Sequence, residues 1–201
     1  KDGTVVTAGD VDYRFAIEST SKPFTAALVM QQYGGPQTIV DKIGVEPTGL
    51  PFNSKIAIEL LPNRSVNPLV NAGAMASVSL VKADSEDERW KMVHENLGGF
   101  AGEDLPLLDE VYTSEYETAW SNRGIVNNLY NYERFYSDPE EALRVYTKQC
   151  SVGVTTKDLA IMGATLANGG VNPKTGQRMI DEAYVPELLA IMLTAGFYDE
   201  S

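Results

Sequence analysis

The sequence predicts an α+β fold, on three observations. The first eighteen residues carry β-type patterning, the residues after Ser19 are dominated by helical periods and helix caps, and a lone two-stranded hairpin is marginal without more strands beside it. The strands that complete the sheet are therefore expected beyond the two ends of the chain.

Thr4-Val5-Val6-Thr7 is β-branched, Ala8-Gly9-Asp10 has turn chemistry, and Tyr13-Arg14-Phe15-Ala16-Ile17 alternates, so a hairpin is expected here. From Lys22 to Tyr33 the apolar residues Phe24, Ala27, Leu28 and Met30 keep helical spacing until Gly34-Gly35-Pro36. Gln37 to Ile43 suits a short helix, and Gly44 to Pro51 is a stiff loop dense in Gly and Pro. Asn71 to Lys82 is small and apolar, as a closely packed buried helix would be. Glu86 to Leu97 opens on acids, as the helix dipole prefers, and is expected to stop at Gly98-Gly99. Glu115 to Tyr130 gives a helix polar on one side. Pro139 to Gln149 follows a Ser137-Asp138 cap, and Thr155-x-x-Asp158 resembles a capping box for a helix to Ala167. A last helix is expected from about Pro186 to Ala195.

Composition removes several classes of function. The 201 residues carry 16 Lys+Arg against 28 Asp+Glu, a formal charge of −12, with one His and one Cys. Disulfide frameworks, structural zinc sites and two-histidine metalloprotease motifs all need more Cys or His than this. Nucleic acid is excluded as a partner, because an acidic chain with no basic stripe repels phosphates. No apolar run reaches the roughly 18 residues of a membrane span. A lone Cys fits a reducing, cytoplasmic setting.

With histidine nearly absent, nucleophile activation falls to Lys, Tyr or a carboxylate. Ser-x-x-Lys at a helix start places a hydroxyl and an amine on one helical face, beside free N–H groups. About one such spacing is expected by chance in a chain this long; this one has two, Ser19/Lys22 and Ser79/Lys82. Ser79 lies late in an apolar helix, where Lys82 is expected to cap the C-terminal dipole. Ser19 follows a strand and opens a helix, with Pro23 tolerated in the first turn. Position favours Ser19/Lys22 over Ser79/Lys82 as the catalytic pair, and an ordinary N-cap Ser stays open as the other reading of Ser19.

Longer blocks carry more information. Phe15-Ala16-Ile17-Glu18-Ser19-Thr20-Ser21-Lys22, Gly44 to Asn53, Asn67 to Ala74, Ser114-Glu115 with Asn122, Tyr146 to Ser151, Thr165 to Gly170 and Gly196-Phe197-Tyr198-Asp199 occur in that order. Together they resemble the serine-dependent glutaminases, most closely the bacterial short-form enzymes. The resemblance implies a β-lactamase-like serine hydrolase fold, an antiparallel sheet flanked by helices plus a helical lobe. It implies hydrolysis of L-glutamine to L-glutamate and ammonia without metal or organic cofactor. Carried over by position, Ser19 is the nucleophile, Lys22 the general base and Tyr146 the phenol relaying protons to the leaving ammonia. Asn71, Glu115, Asn122 and Tyr198 match substrate-binding positions, as do Ser19 and Tyr146. Family members usually assemble as dimers or tetramers. Two parts of the family pattern, an N-terminal segment with a substrate tyrosine and a C-terminal Gly-rich strand, have no match, so residues 1–201 are expected to be a single catalytic domain incomplete at both termini.

Two lookalikes are set aside. Lys174-Thr175-Gly176 spells a β-lactamase box, but in a turn rather than the strand that box requires. Cys150 suggests a cysteine amidotransferase, but His94 sits on a charged helical stretch and Cys150 is expected to be a buried structural thiol. The alternatives that remain open are a penicillin-recognising serine hydrolase or peptidase, and a non-catalytic amino-acid-binding domain.

Overall fold

A short antiparallel pairing ties an early segment of the chain to a late one. The structure, a computed structural model, describes residues 5–61 and 65–196. Strand β1 (Phe15–Ala16) pairs with β2 (Gly153–Val154), in register Phe15 to Val154 and Ala16 to Gly153. The Ile17 N–H donates to Val152 O at 2.8 Å, and the Gly153 N–H donates to Pro106 O at 2.8 Å on the other side. The fold is thus α+β, mostly helical with a small sheet.

The expected hairpin does not form. Thr4 lies outside the described residues, and 5–8 are not in a strand; β1 finds its partner far downstream instead. Val5 and Val6 are exposed, so their β-branched character meets no buried face to pack against.

The helices are α1 (Lys22–Tyr33), α2 (Gln37–Lys42), α3 (Ile56–Leu60), α4 (Asn71–Leu80), α5 (Glu86–Ala101), α6 (Asp109–Glu117), α7 (Trp120–Asn131), α8 (Pro139–Cys150), α9 (Thr156–Ala167) and α10 (Val185–Ala195). Three of these helices, α5, α8 and α9, start on a side-chain cap. Asp138 accepts from the N–H groups of Glu140 and Glu141 ahead of α8, and Thr155 with Asp158 forms a reciprocal capping box on α9.

Two boundaries and one contact differ from expectation. Helix α5 runs through Gly98-Gly99 and stops at Gly102, which is left-handed at φ 74. Gly99 lies inside the helix rather than at its end, with the tip of the Met179 side chain packed close to it. The segment 115–130 is two helices, broken at Thr118-Ala119, where the Thr118 hydroxyl donates to Ser114 O at 2.8 Å. Lys82 reaches a neighbouring helix rather than its own, donating to Gln32 O in the last turn of α1 at 2.6 Å.

The core joins α1, α4, α5, α7 and α8 through Phe24, Met30, Met75, Leu97, Phe100, Leu129 and Leu143. Phe24 and Phe100 meet with ring centroids 4.9 Å apart. Helix α4 is buried along its whole length. At Gly73 it passes so close to the preceding loop that a Cβ would strike the Asn67 carbonyl. That contact fixes the start of α4, and with it Asn71. No described helix is long and apolar enough to cross a membrane.

Candidate active site

The chain leaves β1 at Ala16 and turns immediately into a 3₁₀ segment, Glu18–Ser21, that leads into α1. Glu18 adopts φ 52, a left-handed conformation that few non-glycine residues hold. Ser19 therefore sits on a tight turn rather than in a regular helix, and the residue before α1 is Ser21. Ser19 is exposed on this turn and lines a cavity of about 340 Å³. The same cavity is lined by Asn71, Glu115, Asn122 and Tyr146, and also by Glu18, Phe52, Asn53 and Cys150.

Lys22, the first residue of α1, lies behind this surface and is only 2% exposed. Its ammonium donates to Asn71 Oδ1 at 2.7 Å, and Asn71 Nδ2 donates in turn to Asn122 Oδ1 at 3.1 Å. The Phe52 ring lies 5.6 Å from Lys22 Nζ. Burial lowers the Lys22 ammonium from its ordinary 10.5 to about 8, against a smaller opposing influence from Cys150. An amine at about 8 gives up its proton far more readily than a surface lysine.

Asn71 is placed by position rather than by capping. It is the first residue of α4, with Val70 as the cap, and its N–H donates to Phe52 O at 2.9 Å. Glu115 and Asn122 come from α6 and α7, so the break at Thr118-Ala119 lets two short helices reach one cleft. Glu115 remains exposed, and it raises the neighbouring Glu18 carboxyl in addition to the larger effect of burial.

Tyr146 and Cys150 lie one turn apart on α8, both buried. The Tyr146 phenol lies beside Ser19 and the Cys150 thiol, close enough for both to influence its titration. Burial holds that phenol well above its ordinary value, so it stays protonated at neutral pH. Burial also pushes the Cys150 thiol up to about 11, which makes it a poor nucleophile.

Of the residues singled out in the sequence, Ser19, Asn71, Glu115, Asn122 and Tyr146 meet at one cavity, with Lys22 behind it. Tyr198 lies outside the described residues. The lookalike motifs fall elsewhere: Lys174 pairs with Glu103 at 2.7 Å in a turn, and His94 Nε2 contacts Leu105 O at 2.6 Å beside Trp90. Glu18, Phe52 and Asn53 line the cavity from inside the family-like sequence blocks, although no motif assigns them to the site. Cys150 is buried, as a structural thiol should be, but it also lines the cavity. In the sequence, only its spacing of one helical turn from Tyr146 points that way.

A family model described as Glutaminase matches residues 1–201. The chain belongs to the glutaminase family. It is 52% identical over 199 residues to a glutaminase of Colwellia psychrerythraea, covering 99% of this chain and 64% of that protein. A glutaminase of Brucella canis is likewise 52% identical over 200 residues, covering 100% and 63%. Among solved structures, a probable glutaminase, YbaS, superposes with a TM-score of 0.95 at 49% identity, covering 98% of this chain and 63% of that one. A Bacillus glutaminase gives 0.93 at 34% identity, covering 98% and 66%. Mglu in its L-glutamate binding form gives 0.87 at 36% identity, covering 96% and 43%. The chain thus spans slightly less than two thirds of the length of the curated glutaminases it matches.

Proposed function

We propose that this chain is the catalytic part of a β-lactamase-like serine amidohydrolase that converts L-glutamine and water to L-glutamate and ammonia. The observation that carries the reading is the buried Lys22, lowered to about 8 and set behind a cavity that Ser19 and Tyr146 share. Membership of the glutaminase family supplies the substrate class.

In this mechanism the Ser19 hydroxyl attacks the side-chain carboxamide carbon of glutamine, and its proton passes to neutral Lys22. The tetrahedral intermediate collapses as the C–N bond breaks, and the amine takes a proton through the Tyr146 phenol to leave as ammonia. Tyr146 serves as a neutral donor rather than a base, since its phenol stays protonated. Water then attacks the acyl ester, the same groups carry its proton, and glutamate departs with Ser19 restored.

Recognition of the substrate divides by charge. Glu115 faces the α-ammonium, an ion pair that a cleft partly shielded from water strengthens. Asn122 and Asn71 supply amide donors for the α-carboxylate, with Asn71 held in orientation by Lys22 and Asn122. Tyr198 is assigned to the same subsite by the family pattern. The reading extends to a homo-oligomer, dimer or tetramer, which light scattering of the full-length protein would count directly.

The test is ammonia release from glutamine by the full-length protein and its Ser19→Ala variant. The variant is expected to lose at least about a thousandfold in kcat. Undiminished release would remove the assignment.

A further inference from the structure

Behind the nucleophile turn lies a chain of buried polar side chains that neither the mechanism nor the substrate contacts require. Thr25 Oγ1 on α1 donates to Gln149 Oε1 on α8 at 2.6 Å. Gln149 Nε2 donates to Ser21 Oγ at 3.0 Å, and the Ser21 hydroxyl donates to the Glu18 carbonyl at 2.6 Å. Ser21 and Gln149 are fully buried, and Thr25 is nearly so. The Ser21 hydroxyl also contacts the Cys150 thiol, which itself reaches Tyr146.

The direction of this chain has a geometric result. In a trans peptide the carbonyl and the N–H point to opposite sides, and there are no cis peptides in the described backbone. With the Glu18 carbonyl turned to the Ser21 hydroxyl, the N–H of the same peptide, that of Ser19, points away from Ser21, and Ser19 itself lines the cavity. The left-handed Glu18 is the residue whose backbone must be held for this to persist, since that conformation is costly for a side-chain-bearing residue.

We propose that Ser21, anchored by Gln149 and Thr25, is a positioning residue that fixes the Glu18–Ser19 peptide and so aims the Ser19 N–H at the oxyanion formed during amide hydrolysis. This inference rests on the serine amidohydrolase reading above. A donor aimed at developing charge acts in the transition state and little in the ground state, so its loss moves kcat and leaves KM nearly unchanged. A general loosening of the cleft would move both.

The experiment measures kcat and KM for glutamine with the full-length protein, its Ser21→Ala, Gln149→Leu and Thr25→Val variants, and the Ser21→Ala/Gln149→Leu double variant. Ser21→Ala is expected to lower kcat about tenfold or more with KM within about twofold. Gln149→Leu should act in the same direction, and the double variant should fall little further than Ser21→Ala alone, because both act through one linkage. Should Ser21→Ala fail to fold, Thr25→Val, nearly isosteric and two links away, still decides: a selective fall in kcat supports the proposal. An unchanged kcat in folded Ser21→Ala or Thr25→Val, an equal effect on kcat and KM, or fully additive losses would overturn it. If the parent protein releases no ammonia from glutamine, the underlying amidohydrolase reading fails; if the parent is active and the variants match it, only this inference does.

Discussion

At the scale of single residues, Lys22 shows how burial turns an ordinary side chain into a candidate base. Its proton is held only to about pH 8 in the folded chain, against the ordinary 10.5. At pH 7 roughly one molecule in ten carries the neutral amine, by the tenfold-per-unit rule. Glutamine turnover is therefore expected to rise with pH and level off above about 8, which a pH–rate profile measures. The same shift reaches stability. Between about 8 and 10.5 the unfolded chain holds a proton that folded Lys22 has lost, so stability rises with pH there, and the full penalty of the buried charge is present below 8. Cys150, raised from 9.0 to about 11, adds the opposite slope above 9. Urea unfolding between pH 8 and 9 should thus show a rise of about 1 kcal/mol in the parent that is absent from Lys22→Met. The Ser-x-x-Lys spacing makes Ser19 and Lys22 legible from sequence. The contact from Lys22 to Asn71 is not, because it joins residues far apart in the chain.

At the scale of elements, caps and periods explain what the sequence discloses. Helices α8 and α9 begin where their cap residues place them, because those signals act within four residues. Thr155→Ala should cost about 1 kcal/mol, measurable by denaturant titration, through loss of half the capping box. Strand β2, and with it the partner of β1, escapes detection for the converse reason. The two residues Gly153–Val154 contain no alternation to recognise, and the partner is chosen by the packing of helices between. The break between α6 and α7 is equally hidden, since Thr118 ends a helix by a hydrogen bond that many mid-helix threonines also make. Gly73 belongs at this scale as well. Gly73→Ala would push α4 off the loop at Asn67 and displace Asn71, so a loss of both thermal stability and glutamine turnover is expected.

At the scale of the whole molecule, α8 is the central post. It packs on α4, α5, α6 and α7 and also carries Tyr146, Gln149 and Cys150, so the core and the cavity share one helix. Leu143→Ala, in the middle of that post, should destabilise by roughly 2–5 kcal/mol in denaturant unfolding, with loss of turnover only as the protein unfolds. The α+β class is legible because most of the chain is helical and one strand can be seen. The composition of the sheet is not, since its pairing is a property of the assembled molecule.

The pairing of β1 with β2 has a further bearing on how the molecule comes into being. The turn that carries Ser19 leaves the ribosome early, whereas Tyr146, Gln149 and the strand that fastens β1 emerge well over a hundred residues later. Long-range closures of this kind come late in folding, because loop entropy opposes them until intervening helices have condensed. A growing chain therefore holds Ser19 before Tyr146 and Gln149 can reach it, and the proposed chemistry waits on the arrival of α8 and β2.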